Sequence, residues 1–240
     1  SVILLIVNLV IIMNYGWFDL KDEGAASRVA FVMVGVWWIG FAQYTFRMLP
    51  DDVKIGKKSE LVRKGYQELR QVWREAKDQV NLKRFLYAFF FYSAGAQTVI
   101  FMAATFAEKE LKFPTQNMIL LILILQLVGI AGAHLFARIS KSKGNKFSIL
   151  IILAIWTAIC FVAYYVTADL EFYILAAFVG LVMGGIQSMS RSTYSKLLPV
   201  GEDDTTSYFS FFDVVEKVSI IVGTFSFGLI EYLTGGLRNS

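Results

Sequence analysis

Asp213, Glu216 and Lys217 stand within five residues of one another in Tyr208–Leu233, a stretch that is otherwise mostly apolar. Lys217 lies one helical turn beyond Asp213, the spacing of an i,i+4 ion pair. An isolated charge at mid-bilayer costs about 2.5–3.5 kcal/mol on insertion scales, so such groups persist against partners or water rather than lipid. Their chemistry would be ion pairing, gating and, through Glu216, exchange of a coupling proton. The alternative is that this segment opens as an interfacial turn and the true span starts near Val218. A second polar set, Tyr92, Ser93, Gln97 and Thr98, interrupts another apolar run. Ser93 and Gln97 are four apart and share a helical face, which suits a stripe looking into a cavity. Gln187 and Ser188 repeat the pattern near the inner end of a later run, and Arg191 follows at the inner mouth. Arg191 is placed there to bind lipid phosphate or to latch a closed state.

Bond-making chemistry is poorly supplied. The single histidine, His134, excludes an HExxH zinc site, and neither a GxxxxGK[ST] loop nor a GxSxG elbow occurs. His134 is expected in a hydrogen-bonded packing role. The lone Cys160 lies inside an apolar run and reads as a small buried hydrophobe. No catalytic residue, metal site or cofactor is therefore expected. An intramembrane enzyme acting on lipids would need a nucleophile, base or metal ligands gathered at one depth, and the scattered carboxylates do not provide them.

These polar groups must be positioned by membrane-crossing elements. Of 240 residues, 56% are hydrophobic and 18% charged, against about 45–50% and 25% in soluble domains. A free cytosolic enzyme, a disordered chain and a secreted disulfide scaffold are all disfavoured. A bilayer core of roughly 30 Å asks for about 20 apolar residues in a helix. Arg28–Met48, Phe85–Ala107, Gln116–Ala137, Phe147–Val166, Phe172–Met189 and Tyr208–Leu233 qualify. Continuous apolar runs, rather than ten-residue alternation, make them helices and not barrel strands. Ser1–Met13 is too short to span alone and is expected to be the end of a span begun upstream. The fold class is an all-α, polytopic transmembrane helical bundle.

Charge in the connections sets the orientation. Seventeen of the 23 Lys and Arg fall in alternate connections, Arg47–Arg84, Arg138–Lys146 and Arg191–Glu202, and only five in the opposite set. The rich set faces the cytoplasm. Its longest member carries Val62, Tyr66, Leu69, Trp73, Ala76 and Val80 at alternating steps of four and three, one stripe of an amphipathic helix. Ser59 could cap its start. The helix is expected to lie under the membrane and join two bundles, with a short soluble coiled-coil segment as the alternative. Nucleic acid is not an expected partner, because Glu60, Glu68 and Glu75 interrupt the basic residues. Gly129, Gly132 and Ala133 in one span, and Gly180, Gly184 and Gly185 in another, have the small-residue spacing that lets helix backbones approach in lipid.

The run Gly184-Gly185-Ile186-Gln187-Ser188-Met189-Ser190-Arg191-Ser192, followed by Pro199, resembles the GGIQxxSRS…P signature of the "unknown major facilitator" family, related to fungal vacuolar amino-acid effluxers. Phe209-Ser210-Phe211-Phe212-Asp213 with Lys217 and Gly223 is similar to that family's FFGFYD…K…G stretch. Phe91-Tyr92 with Gly95, Gln97 and Thr98 resembles its FY..GVQT span, and Trp37-Trp38 its paired tryptophans. The resemblance implies a partial major-facilitator fold, about spans five to eleven of twelve. Residues 1–48 would end the N-terminal half, 49–83 would be the cytoplasmic linker, and 84–240 would hold five spans of the C-terminal half, its last span missing. Ser140–Lys146 would be the second-half copy of the superfamily's D-x-x-G-type loop, with Lys141 in place of the usual acid. Ala94 stands where many relatives carry an Asp, so a proton-binding carboxylate is not carried over there.

Together these features predict a secondary transporter moving a small solute, with amino acids implied by the resemblance, in a bacterial inner membrane. Its cavity would be lined by Tyr92, Ser93, Gln97, Thr98 and Gln187. Asp213, Glu216, Lys217 and Arg191 would form the gating or ion-pair set. Partners would be the solute, membrane lipid and a coupling proton. A non-transporting scaffold or receptor-like membrane protein is the alternative.

Overall fold

The computed structural model describes residues 2–49, 58–109, 112–113, 115–198 and 205–236, with the side chains of all but 58–62, 104, 115 and 116. Among them all regular structure is helical. In chain order the helices are α1 Val2–Met13, α2 Glu23–Met48, α3 Lys58–Asp78, α4 Val80–Lys109, α5 Thr115–Lys143, α6 Asn145–Tyr165, α7 Asp169–Leu197 and α8 Thr205–Thr234. A 3₁₀ turn, Tyr15–Phe18, follows α1. Each expected span is found as a helix, most of them extended into their polar flanks because helical hydrogen bonding continues until a cap or breaker stops it. α2 ends at the expected Met48 and α6 one residue before the expected Val166. Among the described residues five helices, α2 and α4 to α7, are long and apolar enough to cross a membrane. The protein is an integral membrane protein with the expected all-α architecture. α8 is helical over the whole expected stretch but is not among those five; Asp213, Glu216, Lys217 and Glu231 are spread along it.

The chain forms two compact units. The first comprises α1, α2 and the opening turns of α5 to Leu123. Ile11, Ile12, Ala26 and Ala30 are buried there, with Leu20, Met33 and Ile119 packed on them. α2 starts where Asp22, in extended backbone, accepts a hydrogen bond from the Ala25 amide at 2.6 Å. Much of its apolar surface, including Phe31, Val36 and Trp38, is exposed, as expected of a lipid-facing helix.

The second unit comprises α3, α4, the rest of α5, and α6 to α8. α4 and α7 run antiparallel: Phe85 meets Tyr194 at 6.3 Å at one end, and Phe106 stacks on Phe172 at 5.9 Å at the other. α8 runs parallel to α4, from a Phe89–Phe212 stack at 4.2 Å to a Lys109–Glu231 ion pair at 3.7 Å. The start of α4, the end of α7, the start of α8 and the α5–α6 junction therefore share one end of the unit. Gly144 makes that junction nearly immediate, since its φ of +86° suits glycine and lets α6 start at the next residue.

α5 and α7 meet through their glycines. A Cβ on Gly132 would strike the Leu181 backbone, and one on Gly184 would strike the backbone of Gly129. Gly180 stands close to the Leu125 backbone, though less tightly, and Gly185 accommodates the Phe136 ring. The two small-residue patterns thus face each other across one crossing. Gly223 does the same for α8 against Thr98 and the Ala94 carbonyl of α4.

α3 packs on α4 and α8, and its buried stripe is turned from the expected one. Leu69, Val72, Trp73 and Ala76 enter the core, whereas Tyr66 and Val80 are 68% and 59% exposed. α3 ends at Asp78, so Val80 opens α4 and leaves the stripe, while Val72 takes a place inside it. Two acids reinforce the contact: Glu75 accepts from the Tyr208 hydroxyl at 2.7 Å and Glu68 from Ser207 at 3.3 Å. The expected cap Ser59, Val62 and Glu60 lie outside the described side chains, and Pro199 outside the described residues.

Candidate functional site

A cavity of about 260 Å³ lies between α4, α7 and α8. α4 contributes Tyr92, Ser93, Ala96, Gln97 and Ile100, whose spacing of one, three, one and three puts them on one helical face. α7 contributes Ile186, Gln187, Ser190 and Arg191, and α8 contributes Phe212, Glu216 and Lys217. Phe89 stacks on Phe212 at one end, where both rings join the buried aromatic cluster around Tyr194 and Tyr208. That cluster closes the lining on the side toward α3.

The polar lining is organised by bonds between helices. Gln97 donates from Nε2 to Glu216 Oε1 at 3.1 Å, joining α4 to α8 inside the cavity wall. Ser190 donates to the Ile186 carbonyl at 2.6 Å. With its one hydrogen committed there, Ser190 accepts from the Tyr92 hydroxyl at 2.8 Å, joining α4 to α7. Arg191 Nη2 donates to Asp213 Oδ1 at 2.7 Å, joining α7 to α8, and its guanidinium lies 5.7 Å from the Phe212 ring centre. Three helices are thus tied pairwise around one volume. The lining holds two cations, Arg191 and Lys217, and one carboxylate, Glu216, with Asp213 balancing Arg191 from behind.

Seven of the nine residues singled out from sequence line this volume: Tyr92, Ser93, Gln97, Gln187, Arg191, Glu216 and Lys217. Thr98 does not. It is buried, donates to the Ala94 carbonyl at 2.7 Å, and packs where α8 crosses at Gly223. Asp213 lies just behind the lining as the partner of Arg191. The expected Asp213–Lys217 pair is not formed, and Lys217 makes no ion pair among the described residues. The reason is reach: Asp213 is turned toward α7, where the planar guanidinium meets it, while Lys217 points into the cavity. Ser188 also turns away, donating to the Gly185 carbonyl. Ser190 was missed from sequence, although it falls three and four residues after Gln187 and Ile186 on the same face.

A second polar knot ties the α5–α6 junction to the end of α7. Asn145 donates to Ser192 at 3.2 Å and Thr193 at 3.0 Å, and accepts from Lys196 at 3.0 Å and from Ser140. The amide's whole hydrogen-bonding capacity is used. Asn145, not Lys141, therefore links this loop to the serine-rich end of α7. His134 bonds the Ile130 carbonyl at 2.9 Å on its own helix. Among the described residues no three His, Cys, Asp or Glu are grouped to hold a metal ion.

Comparison with known proteins agrees with these motifs. The chain is 26% identical over 211 residues to the uncharacterized MFS-type transporter YxiO of Bacillus subtilis, covering 88% of this chain and 49% of that protein. It is 28% identical over 234 residues to autophagy-related protein 22 of Eremothecium gossypii, covering 89% of this chain and 45% of that one. Against the same-named protein of Cryptococcus neoformans the figures are 29% over 238 residues, 89% and 42%. The chain spans about half the length of the curated relatives it matches. No solved structure matches it. Residues 1–240 match the family described as "Vacuole effluxer Atg22 like", and the chain belongs to that family, as its GGIQ and SRS motifs in α7 led one to expect.

Proposed function

We propose that the protein is a secondary transporter that moves a small solute across a membrane by alternating access, with α4, α7 and α8 forming one wall of its passage. The observation that carries this reading is the cavity itself: polar and charged side chains from three packed helices face one small volume in a protein otherwise built for lipid. In transporters, substrate sites lie near the midplane at the interface of structural repeats. Tyr92, Ser93, Gln97 and Gln187 offer hydrogen bonds to a solute. Glu216 offers a counterion for an ammonium group, and Lys217 one for a carboxylate. This pairing of opposite charges in one cavity suits an amino acid zwitterion.

Arg191 and Asp213 serve as the latch between α7 and α8, and Glu216 as the group that takes up a coupling proton when Gln97 releases it. Residues 49–83 form a cytoplasmic linker and 84–240 five spans of the second half of a major-facilitator fold. The Lys/Arg-rich connections support a cytoplasmic side for residues 49–83, and the sequence relationship to a bacterial transporter supports a bacterial cell (inner) membrane. The decisive experiment is counterflow of labelled amino acids in proteoliposomes containing the protein. Exchange above protein-free vesicles, saturable by unlabelled amino acid, supports the reading. Absence of exchange for amino acids and other small metabolites would replace it with a non-transporting scaffold.

A further inference from the structure

We propose that the outward face of α3 is a docking surface for the anionic headgroups of the membrane that α4 enters. The helix sorts its charges. Arg63, Arg70, Arg74 and Lys77 follow one another at steps of seven, four and three, which superposes them on one face, and all four are exposed. The acids that interrupt them in sequence are turned elsewhere: Glu68 and Glu75 bond to Ser207 and Tyr208 at the start of α8. No ion pair engages any of the four cations among the described residues. The face spans fifteen residues, Arg63 to Lys77, roughly 21 Å of helix.

Position adds to charge. α3 ends one residue before α4 begins, and α4 carries exposed Lys83 and Arg84 before its apolar run. The cationic face is therefore tethered at headgroup depth, where each Lys or Arg gains attraction to anionic lipid. Tyr66, 68% exposed within the same face, adds an amphipathic ring of the kind found at membrane interfaces. The Lys77 ammonium lies 5.0 Å from the Trp73 ring centre, a cation–π contact that holds its charge at the edge of this face. The inference does not depend on what solute crosses, only on α3 lying against α4 and α8.

The test uses the whole protein with Cys160→Ser and Gln67→Cys, the latter bearing a fluorophore on this exposed face. It is reconstituted in phosphatidylcholine vesicles with phosphatidylglycerol, and the headgroup nitroxide is placed on one lipid or the other. Quenching should favour labelled phosphatidylglycerol about threefold or more, and the preference should vanish near ~0.5 M salt. Replacing all four cations with Gln should bring the two lipids to parity, with the melting temperature unchanged. Exchanging each Arg for Lys and Lys77→Arg should keep the preference. Parity in the parent protein, or a preference that survives the Gln variant, overturns the proposal. So does a cation-dependent shielding of the label that appears in pure phosphatidylcholine with soluble polyphosphate or on self-association, which would assign the face to a soluble partner or a second copy.

Discussion

The Arg191 guanidinium lies 2.7 Å from the Asp213 carboxylate, and this bond joins α7 to α8 beside a cavity whose lining includes Arg191 itself. The two side chains are 54% and 49% exposed, so the pair adds little to stability, about 0.2–1 kcal/mol. Its use is positional. Asp213→Asn should leave the melting temperature within a few degrees while lowering transport in proteoliposomes roughly tenfold or more. The charge exchange Arg191→Asp with Asp213→Arg should recover part of that loss. Unchanged counterflow in Asp213→Asn would remove the pair from the mechanism.

Gln97 and Glu216 make a separable prediction. Glu216→Gln keeps a hydrogen-bonding side chain of the same size but cannot exchange a proton. Counterflow at equal pH on both sides should persist with a raised KM, because the solute's ammonium group loses its counterion, while accumulation driven by an imposed pH gradient should fall to background. Unchanged KM would remove Glu216 from solute binding, and retained accumulation would exclude it from coupling.

The glycine contacts separate positions that look alike in sequence. Gly132→Ala and Gly184→Ala push a methyl group into backbone and should cost about 1–3 kcal/mol, read as an early thermal transition in detergent. Gly95 and Gly228 have open space around the same position, so Ala there should be neutral or stabilising by up to about 1 kcal/mol. Equal effects at all four sites would contradict the α5–α7 crossing.

Tyr208 and Glu75 pin α3 to α8. Tyr208→Phe keeps the buried ring but removes the donor to Glu75, and a bond to a charged group is worth about 1.5–3 kcal/mol. Protection of α3 amides against hydrogen exchange should drop by one to two orders of magnitude (about 10–100-fold) while α4 to α7 keep theirs. If α3 exchange is unchanged, the helix is held by its apolar stripe and the Glu68–Ser207 bond without help from Tyr208.

Most of the architecture was legible because membrane helices announce themselves: a continuous apolar run has no other way to satisfy its backbone in lipid. Helix ends were less so, since apolar content says nothing about how far helical bonding runs into polar flanks. The face of α3 was misread at both edges: Tyr66 is exposed, Val72 is buried in its stead, and period counting assigned Val80 to the stripe although the chain changes helix at Gln79. Cavity residues on α4 could be found from Ser93 and Gln97 sharing a face. Asp213's partner could not, because Arg191 is 22 residues away on another helix and Lys217 offered an apparently sufficient neighbour. Similarly, each glycine pattern showed that something approaches closely, without saying that the two patterns approach each other. Asn145 carried no signal at all; a lone asparagine after a glycine reads as turn chemistry.

The seam between α5 and α7 has a bearing on how this wall moves. Side chains can absorb sliding by changing rotamer, but where Gly132 and Gly184 lie directly on a neighbouring main chain there is nothing to rearrange. α5 and α7 are therefore fastened as a single lever. If the wall rocks as proposed, it pivots where α7 meets α4 and α8, because Gly223 closes the α4–α8 seam as well. Tyr92 and Arg191, by contrast, each bridge their helices by one hydrogen bond, a link that a bound solute can swap for its own.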